Sequence, residues 1–371
     1  MRFLLIGSFA LSLIKFRKDL IESILAKGIE VHVALPVSAE DDWIASQLEE
    51  MGANLHKIGM VRTGTNPIGD LSTLFTLWRL MRKIRPSHVL SYTIKPIVYG
   101  SLAARLVGVP NRFALVTGRG FAFQDNQGKL HVGRLAQRMY KLALRHVATV
   151  IFQNSDDESL FVGRGLISRN SRTCVVNGSG VNLDEFPVTP LPQEASFLII
   201  ARLLGAKGIR EFVAAAEQVR NEGHSATFKV VGWIDDNPDS ISEGELEAWK
   251  SDGVVEFLGK QTDVRPAISS SSVYVLPSYR EGTPRTVLEA MAMGRPIITT
   301  DAPGCRETVT DGDNGFLVPV HSVEELAVAM IRFVEDPHLA AKMGLRSREI
   351  AVARYDVREV NSLMLRAMRI D

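Results

Sequence analysis

The sequence predicts an α/β protein built from two successive doubly wound units. Three observations carry this. Short runs rich in Val, Ile and Leu alternate with amphipathic segments of helical period along nearly the whole chain. The pattern meets a linker near residues 182–192, where Pro187, Pro190 and Pro192 cluster, and then starts again. At 371 residues the chain exceeds one ordinary core, since domains run to about 100–200 residues.

The elements follow in order. Met1–Ile6 reads as a buried strand, Gly7–Ser12 as the turn after it, and Phe16–Lys27 as a helix ended by Gly28. Glu30–Leu35 is the next strand, followed by a helix near Asp41–Met51 and a strand near Leu55. The long helix Leu71–Ile84 is stopped by Pro86. His88–Tyr92 and Arg112–Thr117 read as strands around a helix at Tyr99–Leu106. A helix at about Val132–His146 and a strand at Thr149–Gln153 complete the first series. The second opens with strand Ser196–Ile200, loop Arg202–Gly208, helix Ile209–Asn221 and strand Thr227–Val231. Val254–Leu258, Val273–Leu276, Pro296–Thr299 and Gly315–Val318 are its further strands. Helices Val323–Val334, Leu339–Tyr355 and Arg358–Met368 close the chain. Strands separated by helices of this length form parallel sheets covered on both faces.

Composition excludes several classes. Apolar residues at 46% and charged residues at 23% are ordinary for a globular protein. The two cysteines, Cys174 and Cys305, make neither a disulfide framework nor a metal cluster, so a reducing, cytoplasmic compartment is expected. The apolar start Phe3–Ile14 is interrupted by Gly7 and Ser8 and followed at once by Lys15–Asp19, unlike a signal peptide. No stretch is long enough to span a bilayer. Net charge is +1 but uneven: residues 1–185 hold 23 Lys and Arg against 15 Asp and Glu, and the rest 20 against 27. The basic half suits an anionic partner, with nucleic acid, a phospholipid surface or a phosphorylated acceptor as the candidates.

Two motifs carry chemistry. The run Pro277–Pro296 places Glu281 before a helix that Thr283 can cap, with Pro284 its first residue and Gly294 its end. Glu289 then falls inside the helix among Val287, Leu288, Ala290 and Met291, where a carboxylate needs a hydrogen-bonding partner such as a polyhydroxyl ligand. The helix N-terminus itself suits a diphosphate. The run Ile199–Gly208 sets Arg202 and Lys207 in the loop at the carboxyl end of a strand, where ligands bind in open α/β sheets. A solvated basic loop has the same composition. The Gly-x-Gly-x-x-Gly fingerprint is absent after the first strand, which argues against a nicotinamide dehydrogenase.

Arg202 and Lys207, the pair Glu281 and Glu289, Gly304–Glu307 and Asp311–Val318, taken in this order, resemble the family 4 retaining glycosyltransferases of the GT-B fold. Val176–Phe186 is similar to that family's interdomain stretch. The resemblance implies two Rossmann-like domains with a cleft between them: residues 1–185 on the acceptor side, residues 186–355 on the nucleotide-sugar side, and residues 356–371 as a helix crossing back. It implies a catalytic set of Arg202, Lys207 and Glu281. Arg202 and Lys207 would hold the donor diphosphate, Glu281 the donor-sugar hydroxyls and Glu289 the ribose. Gly282, Thr283 and Pro284 would bring backbone towards sugar and phosphates, the stretch with Gly259 and Lys260 would contact the base, and Arg285 would belong to the donor-binding set. Gly7 and Ser8 would form the amino-domain loop that faces the donor.

The stretches Ser91–Gly100, Thr117–Phe123 and Phe152–Asp157 are similar to a bacterial subgroup that extends lipid-linked glycans of surface polysaccharide or protein glycosylation, often from N-acetylhexosamine donors. The implied reaction moves such a sugar from a UDP-sugar to a polyprenyl-diphosphate-linked saccharide. A GT-B epimerase and a non-catalytic nucleotide-sugar-binding protein are the alternatives. Many family members carry a histidine where this chain has Thr117 and Gly118, so no histidine receives a catalytic role; His88, His131 and His146 are expected in the core or on the surface. Tyr92, Lys95 and Thr117 are candidates for the acceptor site. Arg202, Lys207 and the helix dipole at Pro284 can supply charge to the leaving diphosphate, so neither metal nor cofactor is expected; the Asp-x-Asp formed by Asp311, Gly312 and Asp313 falls within the Asp311–Val318 stretch. Arg134, Arg138, Lys141 and Arg145 recur at spacings of four, three and four along one helical face, with Leu135, Met139 and Leu142 expected to pack inward. That stripe suits an anionic membrane surface on the inner face of the cell membrane. No nucleic-acid partner is expected.

Overall fold

The computed structural model describes residues 1–38, 41–60, 67–118 and 130–370. The chain divides into two compact units, one of Met1–Ser179 with Val360–Asp371, the other of Gly180–Glu359. The sequence placed these seams at residues 185 and 355. The first unit ends earlier because Gly180, at φ +70°, already turns against the Val357 backbone, and Val181 exchanges backbone hydrogen bonds with Tyr355 and Val357.

The first unit alternates β1 (Arg2–Ile6), α1 (Ala10–Leu25), β2 (Glu30–Leu35), α2 (Asp42–Glu50), β3 (Asn54–Lys57), α3 (Pro67–Ile84) and β4 (His88–Tyr92). A wide helical turn, Pro96–Gly100, leads into α4 (Ser101–Val107); β5 (Asn111–Val116), α5 (Leu130–Leu144), β6 (Thr149–Phe152), α6 (Ser155–Gly163) and β7 (Thr173–Val175) follow. The strands form one parallel sheet in the order β3-β2-β1-β4-β5-β6-β7. Side-chain alternation splits its core. Phe3, Leu5, Val31, Val33 and Leu90 face α1 and α2, whereas Leu4, Ile6, Val89, Ala114 and Val150 face α3, α4 and α5.

The second unit contains β8 (Ser196–Ile200), α7 (Ile209–Asn221), β9 (Thr227–Val231), α8 (Glu243–Asp252), β10 (Glu256–Phe257), α9 (Arg265–Ser269), β11 (Val273–Leu276), α10 (Arg285–Ala292), β12 (Ile297–Thr300) and β13 (Gly315–Val318). Then come α11 (Val323–Glu335), α12 (Pro337–Arg354) and α13 (Val357–Ala367). Its sheet is parallel, ordered β10-β9-β8-β11-β12-β13. In both sheets the order reverses beside the first strand, β1 or β8, and crevices at the carboxyl ends there are the binding positions of doubly wound folds.

Several elements depart from the sequence reading. Pro284 is the cap of α10 rather than its first residue, because its ψ of 110° is extended. The strand expected at Val254–Leu258 shortens to two residues, and α6 and α8 had no apolar periodicity to announce them. Both rest on caps: Asn154 accepts from the Asp157 N–H, and Ser242 and Glu245 form a reciprocal capping box. Leu135 and Leu142 do not pack inward; they are 56% and 47% exposed, while Tyr140, Ala143 and Leu144 fill the interior. Among the described residues no helix is long and apolar enough to cross a membrane.

Candidate functional site

In the second unit, the loops after β8, β9, β11 and β12 converge. Gly208, at φ +71°, allows the Gly205–Lys207 turn to lie against Pro277, whose carbonyl leaves no room for a Cβ. The Tyr279 N–H donates to the Ala206 carbonyl at 3.0 Å, tying the two loops together. Lys207 Nζ thereby reaches Glu281 Oε1 in an ion pair, and Ser278 Oγ donates to the same oxygen at 2.8 Å. A third loop closes over this pair. The Glu281 N–H donates to the Pro303 carbonyl at 3.0 Å, and Gly304, at φ +82°, passes directly under the Glu281 carbonyl. Cys305 is buried below, its thiol pushed up to about 12 chiefly by desolvation.

Arg202 is also paired: Nη1 contacts Asp235 Oδ2 in the loop after β9. Neither cation is therefore the open, solvated charge that a basic loop predicts. Glu289, inside α10, is 8% exposed and receives Arg285 Nε at 2.8 Å. Arg285, expected among the donor-binding residues, has its Nε on Glu289 one turn on. Gly282 and Thr283 lie half-buried and Pro284 buried at the helix start.

Beside Arg202, a pocket of about 320 Å³ is lined by Leu203, Trp233, Leu246, Phe257, Gly259 and Lys260. Lys260 Nζ lies 5.1 Å from the Trp233 ring centre. Gly259 and Lys260 were expected near a base; Trp233, Leu203 and Asp235 were not. Trp233 follows Gly232 at the end of β9, and an aromatic just past a strand's carboxyl end in a doubly wound fold is the signal that could have found it.

In the first unit, Gly7 and Ser8 form the turn after β1. The Gly7 N–H donates to the Ala34 carbonyl at 3.1 Å, and Ser8 Oγ lies 2.8 Å from Thr93 Oγ1. Thr93 holds φ at +69°, a strained value for a β-branched residue. Tyr92 does not line an open surface. It is buried beneath Gly7, its hydroxyl 3.2 Å from Ser12 Oγ and its ring 5.6 Å from the Arg17 guanidinium carbon, so it supports the turn. Lys95 is buried as well and paired with Asp70 at 2.9 Å. Thr117 is half-buried at the end of β5, and Arg119–Phe123 of its motif lie outside the described residues. His88 is a core residue stacked on Phe113; His146 sits at the surface between Arg105 and Arg112, and the side chain of His131 lies outside those described.

The comparisons bear on the family and the fold. Residues 6–154 match the glycosyl transferase 4-like family, and residues 194–336 match the glycosyl transferases group 1 family. An N,N'-diacetylbacillosaminyl-diphospho-undecaprenol alpha-1,3-N-acetylgalactosaminyltransferase of Campylobacter jejuni is 28% identical over 360 residues, 93% of this chain and 92% of its own. A UDP-Gal:alpha-D-GlcNAc-diphosphoundecaprenol alpha-1,3-galactosyltransferase of Escherichia coli is 25% identical, covering 72% of each chain. Among solved structures, Anabaena HepE in complex with UDP superimposes with a TM-score of 0.79 at 19% identity, covering all of both chains. Sucrose-phosphate synthase of Thermosynechococcus elongatus gives 0.82 at 20%, over 100% of this chain and 98% of its own. Two doubly wound units of this kind are the GT-B fold, and the protein is a hexosyltransferase. The chain belongs to the glycosyl transferase 4-like and group 1 glycosyltransferases.

Proposed function

We propose that the enzyme transfers a sugar, an N-acetylhexosamine, from its UDP-linked donor to a polyprenyl-diphosphate-linked saccharide with retention of anomeric configuration. The observation that carries the reading is the juxtaposition of Lys207 and Glu281 ahead of α10, beside the aromatic pocket at Trp233. A uracil fits the flat wall of Trp233 and the backbone at Gly259 and Lys260. The ribose hydroxyls suit Glu289, the diphosphate Arg202, Lys207 and the positive end of the α10 dipole, and the sugar hydroxyls Glu281. The acceptor side is built by Gly7, Ser8, Thr93 and Thr117, with Tyr92 and Lys95 behind them. The nature of donor and acceptor follows the two bacterial relatives.

In the reaction the bond from the anomeric carbon to the diphosphate oxygen breaks. A bond to an acceptor hydroxyl forms on the same face, and that hydroxyl's proton is lost. Arg202, Lys207 and the α10 dipole neutralise the charge that develops on the leaving diphosphate, so positioning and electrostatics carry the step without metal or cofactor. The basic stripe Arg134, Arg138, Lys141 and Arg145, all exposed, holds the enzyme on the anionic cytoplasmic surface of the membrane where such an acceptor resides.

The test is a panel of nucleotide sugars with the purified protein. A true donor at about 100 times its dissociation constant should add roughly 2.7 kcal/mol of stability. The same donor with a lipid-linked acceptor, in EDTA, should yield UDP and a product whose new linkage keeps the donor's configuration. Donor epimerised with no product on the acceptor would assign an epimerase, and donor bound without turnover a binding protein.

A further inference from the structure

The sheet of the first unit has two unlike helical faces. On α1 and α2 the charges are mixed: Lys15, Arg17 and Lys18 stand with Asp19, Glu22, Asp42, Glu49 and Glu50. On the other face the charges of α3, α4 and α5 are almost all positive, and the acidic residues of that side gather on α6, where Asp156, Asp157 and Glu158 stand in the first turn. α3 carries Arg79, Arg82 and Lys83, α4 carries Arg105, and α5 carries Arg134, Arg138 and Lys141. The one carboxylate on these three helices, Asp70, is paired with Lys95.

Large apolar side chains stand in this same surface. Leu71, Phe75 and Leu106 are 66%, 59% and 66% exposed, and with Leu74 and Trp78 they line a groove of about 640 Å³ between α3 and α4. The Arg82 guanidinium caps Trp78 at 5.0 Å from the ring centre. The basic rim is continuous across the helices. Arg105 contacts the His146 ring, and Arg112 Nε donates to the His146 carbonyl at 2.6 Å, which brings α4 to the end of α5 and Arg145. There Leu135 and Leu142 stand exposed among the α5 cations.

We propose that the α3–α4–α5 face docks the enzyme on an anionic lipid bilayer, with Leu71, Phe75 and Leu106 entering the boundary between headgroups and acyl chains. Charge of a single sign favours an anionic surface, and aromatic and aliphatic side chains set beside Arg and Lys are the composition of interfacial insertion. Trp78 and Arg82 span that boundary, ring inward and guanidinium at the phosphates. The groove adds to the α5 stripe a part that salt cannot screen. Binding therefore weakens with ionic strength but does not vanish, unlike docking by charge alone. The inference gives a surface to the membrane-held acceptor of the proposed function, yet vesicle binding needs neither donor nor acceptor, so the two fail separately.

The experiment uses the full chain with vesicles of phosphatidylcholine, alone or mixed with phosphatidylglycerol, the latter also with brominated acyl chains. Bromine quenches only a tryptophan that reaches the acyl region. The expected results are sedimentation with the phosphatidylglycerol vesicles, quenching in the wild type, and loss of that quenching in Trp78→Phe while sedimentation persists. The triple variant Leu71→Ser, Phe75→Ser, Leu106→Ser should keep its melting temperature and lose about tenfold or more in partitioning. Four results would overturn the proposal: no quenching, quenching unchanged in Trp78→Phe, equal binding to neutral vesicles, or a wild-type dimer that the triple variant turns into monomer. The last would assign the groove to a second copy of the chain.

Discussion

Arg285 donates through Nε to Glu289 Oε1 at 2.8 Å, one turn apart at the start of α10, and both side chains are largely buried. A carboxylate among Val287, Leu288, Ala290 and Met291 is thus compensated from its own helix before any ligand arrives. Arg285→Ala should cost about 1–3 kcal/mol, because it strips a partner from a buried charge, and Glu289→Gln should cost less. Urea unfolding of both variants measures this. Glu289→Gln should also weaken UDP about tenfold by titration calorimetry. Unchanged affinity would remove Glu289 from the ribose.

Gly304 and Gly312 separate a packing role from a purely conformational one. Both have left-handed backbones, at φ +82° and +77°, but a Cβ on Gly304 collides with the Glu281 carbonyl, whereas one on Gly312 meets open space. Gly312→Ala should cost roughly 1 kcal/mol and leave donor binding alone. Gly304→Ala should cost more, about 2–3 kcal/mol, and weaken donor binding by displacing Glu281. Equal effects from the two would mean that the Gly304 loop does not set the Glu281 position.

His32 and His56 share a hydrogen bond, Nδ1 to Nε2 at 3.0 Å, on β2 and β3. Burial is the largest influence on each and lowers both; Glu30 opposes it at His32, and Lys83 adds to it at His56. The folded protein therefore protonates at lower pH than the unfolded chain, whose histidines titrate near 6.5. The pair's contribution is fully present above that pH and is lost as pH falls below it. Urea midpoints at about pH 7.5 and about pH 5.5 should differ, and His56→Gln, which keeps a donor beside His32, should shrink the difference. A difference of the same size in the variant would place the titration elsewhere.

The parts of this fold that rest on period were legible in the sequence. β1, β8 and β11 carry unbroken apolar runs, β2 and β4 are mostly apolar strands interrupted by His32 and Ser91, and the helices between them carry apolar stripes, so the doubly wound alternation could be read directly. Lys207 and Glu281 were visible because their loops follow such strands. Their ion pair was not, since it depends on Gly208, Gly304 and Ser278 acting across 74 residues of sequence. Arg295 was equally hidden. Wholly buried, it donates to the carbonyls of Thr189, Pro190, Ile268, Ser269, Ser271 and Met293, clamping the linker to the second unit. Nothing in the residues around it distinguishes that arginine from a surface one. Tyr92 reads in the sequence as a candidate for the acceptor site, but its packing under Gly7, which depends on the fold of the turn after β1, buries it.

The ion pair between Lys207 and Glu281 makes opposite forecasts for its two members. Lys207→Ala removes a charge-assisted contact worth about 1.5–3 kcal/mol to a bound diphosphate, so UDP should bind about tenfold more weakly or worse. Arg202→Ala should behave alike. Asp235→Asn, which only frees Arg202 from its partner, should change UDP affinity less. Glu281→Gln is different. It keeps an acceptor for Ser278 Oγ and removes the carboxylate that holds Lys207, so free UDP should bind with nearly wild-type affinity. Turnover should nevertheless fall about tenfold or more, because the sugar loses its charged acceptor while the diphosphate keeps both cations. Calorimetry with UDP and a UDP-release assay, run on all four variants beside a melting curve, separate these effects. If Glu281→Gln weakens UDP as much as Lys207→Ala does, the glutamate serves to place the lysine and does not read the sugar.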